Sequence, residues 1–283
     1  MSDPEDFKTH ISGVFSRASS AYDRTGPQFF SHLGKKLVEF ARIFPGARVL
    51  DVAFDRGAVF VPASAAVSAT GQVIGIDISE GMIGQARSEV SLRGLANTKV
   101  LKMDAECLDF PDSSFDFVLC GLCLFFFPNL DQALTGFLRV LRPGGRLAAS
   151  TFRAVEDART KRWDELGDAS KDSLKPVPTA RTRKLGSEVE IRQVLSRAGF
   201  SEIKVMPQEE TFHFNSEDEW WQTAWSHGNR GFLERMEANV IARYKKQATE
   251  LIREEKTEQG IPDTWYLLYS DAQKPPCASL VNR

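Results

Sequence analysis

The chain has few of the residues that metal, redox and membrane sites require. Its 283 residues include only 4 cysteines and 4 histidines, and the formal net charge is −2. The most apolar stretch, residues 117–127, is far shorter than the roughly 18 residues that a membrane span needs. The acidic, polar N-terminus lacks the apolar core of a secretory signal, and no basic excess favours nucleic acid. These absences predict a cytoplasmic protein with no nucleic-acid or membrane partner.

The cysteines and histidines do not form a metal-binding pattern. Cys120 and Cys123 make a CxxC motif at the end of an apolar run, but no second CxxC or CxxH motif supplies further ligands. The histidines are too scattered for a ligand set: His10, His32, His213 and His227. A redox pair is the other use of a CxxC motif. Because the motif lies in a run typical of a buried strand, we predict buried thiols and no metal.

Short apolar segments alternate with helical segments in the middle of the chain. The predicted strands cover residues 48–53, 72–77, 98–103, 115–121 and 146–152, and the helices between them cover residues 57–69, 79–93 and 130–141. This alternation predicts crossover connections and a mostly parallel sheet that is covered on both faces. Ligands of such sheets bind beyond the carboxyl ends of the strands, beside the first strand.

The segments around this core predict a cap over that edge of the sheet. We divide the chain into an N-terminal helical cap (1–45), a Rossmann-like core (46–152), a helical linker with late strands (153–215), a helical cap insertion (216–262), and a last strand with a tail (263–283). Late strands are expected at residues 203–206, 210–214 and 265–270. Because the insertion lies between strands of one sheet, we expect it to cover the ligand site.

Four segments of the core, VLDVAFDRGAVFV, VIGIDISEGM, KMDAECLDFPDSSFDFVL and LRVLRPGGRL, resemble in order and spacing the motifs of class I S-adenosylmethionine-dependent methyltransferases. The resemblance implies an α/β, Rossmann-like fold with a mostly parallel, seven-stranded sheet flanked by helices. It also implies that the loop from Asp51 approaches the methionine end of the cofactor, that Asp77 binds the ribose and that Asp104 binds the adenine amine. Acidic residues at strand ends also cap helices or meet water, and this alternative stays open.

The loop departs from the family pattern, because it reads DVAFDRG where DxGxGxG is expected. Ala53 and Asp55 replace the first two glycines, and Gly57 keeps the third. A glycine at the second position leaves bare backbone for the ligand, whereas Asp55 adds a side chain and a charge near the cofactor's carboxylate. Two like charges about 4 Å apart repel by roughly 4 kcal/mol at an effective dielectric of 20. Phe54 adds bulk, and Arg56 could offset the charge if it turned inward. We predict a lost or crippled cofactor site; the alternative is a loop that bends differently and still binds.

Aromatic residues, which include 20 phenylalanines, are concentrated in the segments expected to cover the site. The expected substrate pocket consists of Phe15, Phe29, Phe125, Phe126, Phe127, Trp163, Phe212, Phe214, Trp220 and Trp225. The candidate catalytic residues are Tyr22, Trp221 and His213, each of which could donate a hydrogen bond to a substrate carbonyl, and His227 could do the same. Aromatic stripes at helical spacing are also typical of a packed core, and either histidine could be a surface or cap residue.

An aromatic pocket without a cofactor suits a pericyclic ring closure, in which the enzyme holds the two ends of a flexible polyene together. The chain also resembles the methyltransferase-like cyclases of bacterial polyketide pathways. That resemblance implies six-plus-four and four-plus-two cycloaddition of a polyene macrolactone, as in the nargenicin and streptoseomycin type, and no cofactor. The alternative is a small-molecule methyltransferase that uses S-adenosylmethionine, and a third function is a non-catalytic partner subunit. In the first two the partner is a small hydrophobic substrate, and a homodimer is compatible with the sequence.

Overall fold

The computed structural model describes residues 3–276 except residues 181 and 184. Within these ranges the strands are β1 (Arg48–Val52), β2 (Gln72–Asp77), β3 (Thr98–Lys102), β4 (Phe115–Gly121), β5 (Leu141–Phe152), β6 (Ser201–Phe214) and β7 (Ile261–Gln273). They form one seven-stranded sheet in the order β3-β2-β1-β4-β5-β7-β6, with β7 antiparallel to both of its neighbours. The predicted Rossmann-like fold with a mostly parallel sheet is confirmed.

The helices of the described ranges are α1 (Pro4–Ala18), α2 (Phe29–Ala41), α3 (Phe60–Ala66), α4 (Glu80–Arg93), α5 (Leu130–Val140), α6 (Ala158–Asp168), α7 (Glu188–Arg197), α8 (Glu217–Ala224), α9 (Arg230–Leu233) and α10 (Ala238–Glu254). Their ends follow the expected capping chemistry. Ser79 caps α4 by accepting the amide N–H of Met82, as its place before an acidic first turn predicts. None of these helices is long and apolar enough to cross a membrane.

The central strands β1, β2 and β4 are buried on both faces, as parallel strands with crossover helices must be. On one face, Leu134 and Phe137 of α5 pack against Leu50 of β1. On the other, Leu37 of α2 and Ile83 of α4 belong to a second cluster. The central strands are therefore held rigidly, and their carboxyl ends present a fixed edge beneath α1 and the helices between β6 and β7.

The late strands are longer than the sequence predicts. Where we expected two strands, β6 is continuous, and β7 begins at Ile261, inside the range assigned to the cap insertion. The reason is mutual pairing, since β6 and β7 run antiparallel from Phe214 opposite Ile261 to Ser201 opposite Gln273. Pro207 is tolerated in β6 because this strand forms the edge of the sheet. The predicted tail after residue 276, with Cys277, lies outside the described residues.

Candidate functional site

Two adjoining cavities lie at the carboxyl ends of the central strands, where the strand order predicts a ligand site. The first, here called the strand-end pocket, has a cavity volume of about 90 Å³ and is lined by Ala53, Asp55, Asp77 and Asp104 with residues of α1. The second, the aromatic chamber, has a cavity volume of about 350 Å³ and is lined mainly by aromatic side chains. Four residues line both cavities: Phe15, Tyr22, Leu122 and Phe126.

The loop after β1 keeps a glycine-type backbone although two of its glycines are replaced. Ala53 has φ of 52°, Asp55 has φ of 50° and Gly57 has φ of 108°, so two side chains stand on left-handed residues. The Asp55 carboxylate oxygen Oδ1 accepts the amide N–H groups of Gly57 at 2.9 Å and Ala58 at 3.3 Å. A glycine at position 55 would leave both amides without this acceptor. The Asp55 side chain therefore folds back onto its own loop and binds two of the loop's amide groups.

The charge on Asp55 differs from the sequence-based expectation. Burial raises the pKa of this carboxyl to about 8, and nearby Asp23 and Asp77 also raise it, against the lowering effect of the two amide hydrogen bonds. The group is therefore mostly protonated at neutral pH, and the predicted like-charge repulsion is wrong there. What remains is the volume of the side chain and its use of the two amides.

Two other loop residues do not act as predicted. Phe54 is buried and turns away from the strand-end pocket, with its ring 5.8 Å from that of Phe60. Arg56 does not turn inward to Asp55. Its guanidinium instead bonds Glu89 at 3.1 Å and the backbone carbonyl of Tyr22 at 3.3 Å. The expected bulk of Phe54 beside the loop is wrong, because Phe54 packs against Phe60 of α3. The condition for compensation by Arg56 is not met, because Glu89 of α4 holds its guanidinium.

Asp51 and Asp77 lie at the ends of β1 and β2, where the motifs place them. Asp77 accepts the amide N–H of Ser79 at 2.8 Å and that of Asp55 at 3.2 Å, and burial raises its pKa to about 6. Asp51 lies beneath the loop outside the pocket lining. Neither of its carboxyl oxygens has a hydrogen-bond partner among the described residues, and burial raises its pKa strongly.

Asp104 is paired with a lysine that the sequence analysis missed. Lys8 of α1 lies with its Nζ 2.7 Å from Asp104 Oδ2 and 2.7 Å from Glu106 Oε2. Burial alone would lower the pKa of Lys8, but hydrogen bonds with these carboxylates and Glu5 raise it. These two ion pairs hold α1 against the side of the strand-end pocket that contains Asp104 and Glu106. No motif marks Lys8, because its partners are 96 and more residues away in sequence.

Most of the predicted pocket aromatics line one of the two cavities. Phe15, Phe29, Phe125, Phe126, Phe214 and Trp220 line the aromatic chamber, whereas Phe127 lines the strand-end pocket. Tyr22 lies between the cavities. Its ring stacks on Phe30 at 4.5 Å, and burial together with the nearby Asp55 carboxyl raises the pKa of its hydroxyl.

Five of the predicted substrate-pocket and catalytic residues lie outside both cavities: Trp163, Phe212, His213, Trp221 and Trp225. Trp221 and Trp225 pack in a small core of the cap that includes Leu233 and Met236, so their i, i+4 spacing marks an internal helix face. Trp163 lines a neighbouring cavity, and its ring centroid is 5.6 Å from that of Trp220. Phe212 lies behind Phe29 at 5.2 Å, and His213 pairs with Pro262 on β7. The geometry does not place these side chains against a ligand in either cavity.

Several residues of the aromatic chamber were not predicted: Phe30, Leu122, Phe152, Asp263 and Trp265. Trp265 stacks on Phe29 at 4.5 Å, and its indole N–H donates to Asp263 at 2.8 Å. The predicted strand over residues 265–270 could have identified Trp265 as a lining residue. Side chains alternate along a strand, so one face of β7 points toward the cap. His227, which the sequence analysis considered, also lines the chamber.

The CxxC motif lies beside the strand-end pocket, with Cys123 in its lining. The structure joins Cys120 and Cys123 in a disulfide, so the prediction of two free buried thiols is wrong. The turn between them makes the pairing feasible, because Leu122 adopts φ of 52° and the Cα atoms are 5.9 Å apart, within disulfide range. The described residues include no group of three or more His, Cys, Asp or Glu that could hold a metal.

Comparison with known proteins gives matches in sequence and in structure. A model of the methyltransferase domain family matches residues 50–149. The chain is 41% identical over 150 residues to aklanonic acid methyltransferase DauC of Streptomyces sp. (strain C5), covering 52% of this chain and 68% of that protein. It is 31% identical over 255 residues to nocamycin O-methyltransferase of Saccharothrix syringae, covering 85% of this chain and 89% of that protein.

Solved structures match over most of the chain. The YcgJ protein of Bacillus subtilis aligns with a TM-score of 0.59 at 20% identity, over 86% of this chain and 98% of that one. The four-plus-two cyclase SpnF aligns with a TM-score of 0.56 at 20% identity, over 87% of this chain and 82% of that one. At such identities these matches show a shared fold and nothing more specific.

Proposed function

The chain belongs to the class I S-adenosylmethionine-dependent methyltransferase superfamily, and from this premise we propose that it is an enzyme that has exchanged methyl transfer for ring closure. In this proposal the substrate is a hydrophobic, polyketide-like polyene, the reaction is an intramolecular cycloaddition, and the methyl donor takes no part. The solved SpnF structure supports the proposal only in showing that this fold can belong to a cyclase.

The observation that carries the proposal is the position of the Asp55 side chain. It stands on a left-handed residue in the loop that faces the strand-end pocket, and it uses the Gly57 and Ala58 amides itself. A methionine carboxylate needs such amides free, since buried anions are bound by hydrogen-bond donors. The residues present therefore do not fit the methionine end of S-adenosylmethionine.

The adenine end of the pocket supports the same inference. The carboxylate matching the adenine-binding position, Asp104, is held at 2.7 Å by Lys8, which also holds Glu106. A carboxylate engaged with an ammonium group has fewer acceptor positions left for an exocyclic amine. Lys8 itself lines the strand-end pocket and reduces the room there.

The aromatic chamber supplies what a cycloaddition needs. Its cavity volume of about 350 Å³ lies at the lower end of the range for small-molecule sites, roughly 300–1,000 Å³. Rigid rings such as Phe29 stacked on Trp265 and Phe15 set against Phe126 can hold a flexible chain in a folded shape. Such preorganisation removes entropy from the barrier and can contribute several kcal/mol. No atom leaves the substrate and none is added, so its mass is unchanged.

A second candidate function is methyl transfer to a small molecule, and the relatives favour it. DauC and nocamycin O-methyltransferase are both methyltransferases by name, and they share more sequence with the chain than SpnF does. In that case the Asp55 loop would open on binding, Asp77 would hold the ribose, and the aromatic chamber would present the acceptor group to the donor.

Calorimetry with S-adenosylmethionine and S-adenosylhomocysteine separates these candidates without a substrate. The cyclase proposal predicts no binding heat up to about 1 mM ligand, equivalent to a binding free energy weaker than about −4 kcal/mol. A dissociation constant in the micromolar range for either compound would overturn the cyclase proposal and leave the methyltransferase in its place.

A further inference from the structure

We propose that His227 donates a hydrogen bond from its Nε2 atom to a carbonyl group of the hydrophobic molecule bound in the aromatic chamber. This inference rests on the proposed function, since it assigns to that chamber the group that polarises the substrate. It also specifies the substrate class further, as a hydrophobic compound with a carbonyl conjugated to the reacting double bonds.

The tautomer of His227 is set by the backbone that follows it. The amide N–H of Asn229 points at His227 Nδ1 at 3.4 Å, which makes Nδ1 the acceptor. In a neutral imidazole the proton then resides on Nε2. Burial lowers the pKa of His227 to about 4, against a small opposing effect of Asp263, so the ring is neutral at pH 7. His227 is therefore a neutral donor through Nε2.

The orientation of the ring is fixed by its neighbours. Phe30 lies edge-to-face with His227 at 5.8 Å, and Phe29 does so at 6.4 Å. Aromatic packing of this kind restricts rotation of the imidazole and costs little in flexibility. A donor that is already oriented in an apolar site acts more strongly than one in water, because no solvent has to reorganise.

The other ionisable and hydroxyl side chains of the chamber are already engaged. The Tyr22 hydroxyl lies beside the Asp55 carboxyl, and burial together with this carboxyl raises its pKa. The Thr223 hydroxyl donates to the Glu219 carbonyl at 2.8 Å. Asp263 accepts from Arg159 and from Trp265.

Among these groups His227 is the exception. Its Nε2 has no hydrogen-bond partner within residues 3–276, leaving aside the undescribed residues 181 and 184. An unused donor among the lining residues of an aromatic cavity is available to a ligand that enters the cavity.

The first test reads the tautomer directly and needs no variant protein to fold. Nitrogen-15 NMR of the ring nitrogens at neutral pH should show His227 with a proton on Nε2 and a bare Nδ1. A proton on Nδ1, or on both nitrogens, would overturn the inference, because the ring could not then present a neutral Nε2 donor fixed by Asn229.

The second test uses a fluorescent ketone, propionyl-dimethylaminonaphthalene, whose emission moves to longer wavelength when its carbonyl accepts a hydrogen bond. The bound probe should emit at shorter wavelength in His227→Phe than in wild type, and His227→Gln, which keeps an N–H near the Nε2 position, should restore the wild-type emission. His213→Phe tests the rival histidine outside the chamber and should leave the spectrum unchanged.

The location of the probe is checked with Gly228→Trp. A Cβ atom at Gly228 would lie 3.7 Å from the Phe15 ring and 3.9 Å from that of Phe126, so the indole should fill the chamber and abolish binding. Identical emission in wild type and His227→Phe, a shift in His213→Phe, binding that survives Gly228→Trp, or no binding to wild type would each overturn the inference.

These readouts separate the inference from the proposed function. Binding of the methyl donor in calorimetry would end the cyclase proposal without changing the tautomer or the probe emission. If the probe emits at the same wavelength in wild type and His227→Phe, the proposed role of His227 is wrong. A product of unchanged mass in the same protein would still support the cyclase proposal.

Discussion

Replacing Asp55 with glycine is expected to restore binding of S-adenosylmethionine, and replacing it with asparagine is not. The glycine variant removes the side chain from the loop and suits the φ of 50° found there. The asparagine variant keeps nearly the same volume, tolerates the same backbone conformation and cannot ionise. Because the pKa of Asp55 is about 8, the wild-type carboxyl is already mostly neutral at pH 7, so the loss of charge alone should change little.

The magnitude follows from the amides that the side chain occupies. Asp55→Gly frees two donors, the N–H groups of Gly57 and Ala58. Hydrogen bonds to a charged acceptor contribute about 1.5–3 kcal/mol each, so two of them contribute roughly 3–6 kcal/mol. The dissociation constant should therefore fall by roughly 10²- to 10⁴-fold relative to both wild type and Asp55→Asn.

Isothermal calorimetry on the three purified proteins at pH 7 measures this difference, with circular dichroism to verify that each variant is folded. Equal, restored binding in Asp55→Gly and Asp55→Asn would mean that charge is the obstacle and would refute the account based on volume and occupied amides. Micromolar binding by the wild-type protein would refute it as well.

Three further predictions concern stability. Ala53→Gly should raise the free energy of unfolding in urea by about 0.5–1 kcal/mol, because alanine stands at φ of 52°; a lower value would contradict the strain. Asp55 has a folded-state pKa of about 8, above its ordinary 3.8, so the folded wild type holds an extra proton and loses stability as pH rises from about 4 to 8, on the order of 1 kcal/mol per pH unit. Asp55→Asn should lack this loss in thermal unfolding, and parallel profiles would disprove the assignment. Lys8→Met should lower the unfolding free energy by about 1–3 kcal/mol, since two facing carboxylates lose their cation; an unchanged urea midpoint would count against that pairing.

Strands β2 and β4 could be predicted from sequence with their ends, because local signals define them, whereas β5 begins at Leu141 and not at residue 146 as predicted. The structure places β2 at Gln72–Asp77 and β4 at Phe115–Gly121, as the apolar runs between turn residues indicate. The long β6 and β7 could not be delimited in this way, since their length is set by pairing with each other. Alternating exposed and buried positions at a sheet edge give only a weak sequence signal.

The site was predictable in its residue types and less so in its electrostatics. Sequence identifies Asp55 as the unusual loop residue, but its protonation depends on enclosure by Tyr22, Asp23 and Asp77, which only the fold brings together. For the same reason the partner of Asp104 was missed, because Lys8 reaches it from the far end of the chain.

The aromatic residues show a similar limit. Their enrichment in the cap segments was visible in sequence, but the face that each one presents was not. Trp221 and Trp225 share a helix face that packs into the cap core, while Trp265 on β7 stacks on Phe29 in the chamber. Periodicity identifies a common face, and tertiary packing decides whether that face meets core or ligand.

Mass spectrometry of the product tests the central claim most directly. Purified protein is incubated with a macrolactone polyene bearing a conjugated carbonyl, once with and once without S-adenosylmethionine. The account predicts the same isomer of unchanged mass in both reactions, formed faster than in buffer alone. A product one methylene heavier that forms only with the donor would contradict it and identify the protein as a methyltransferase.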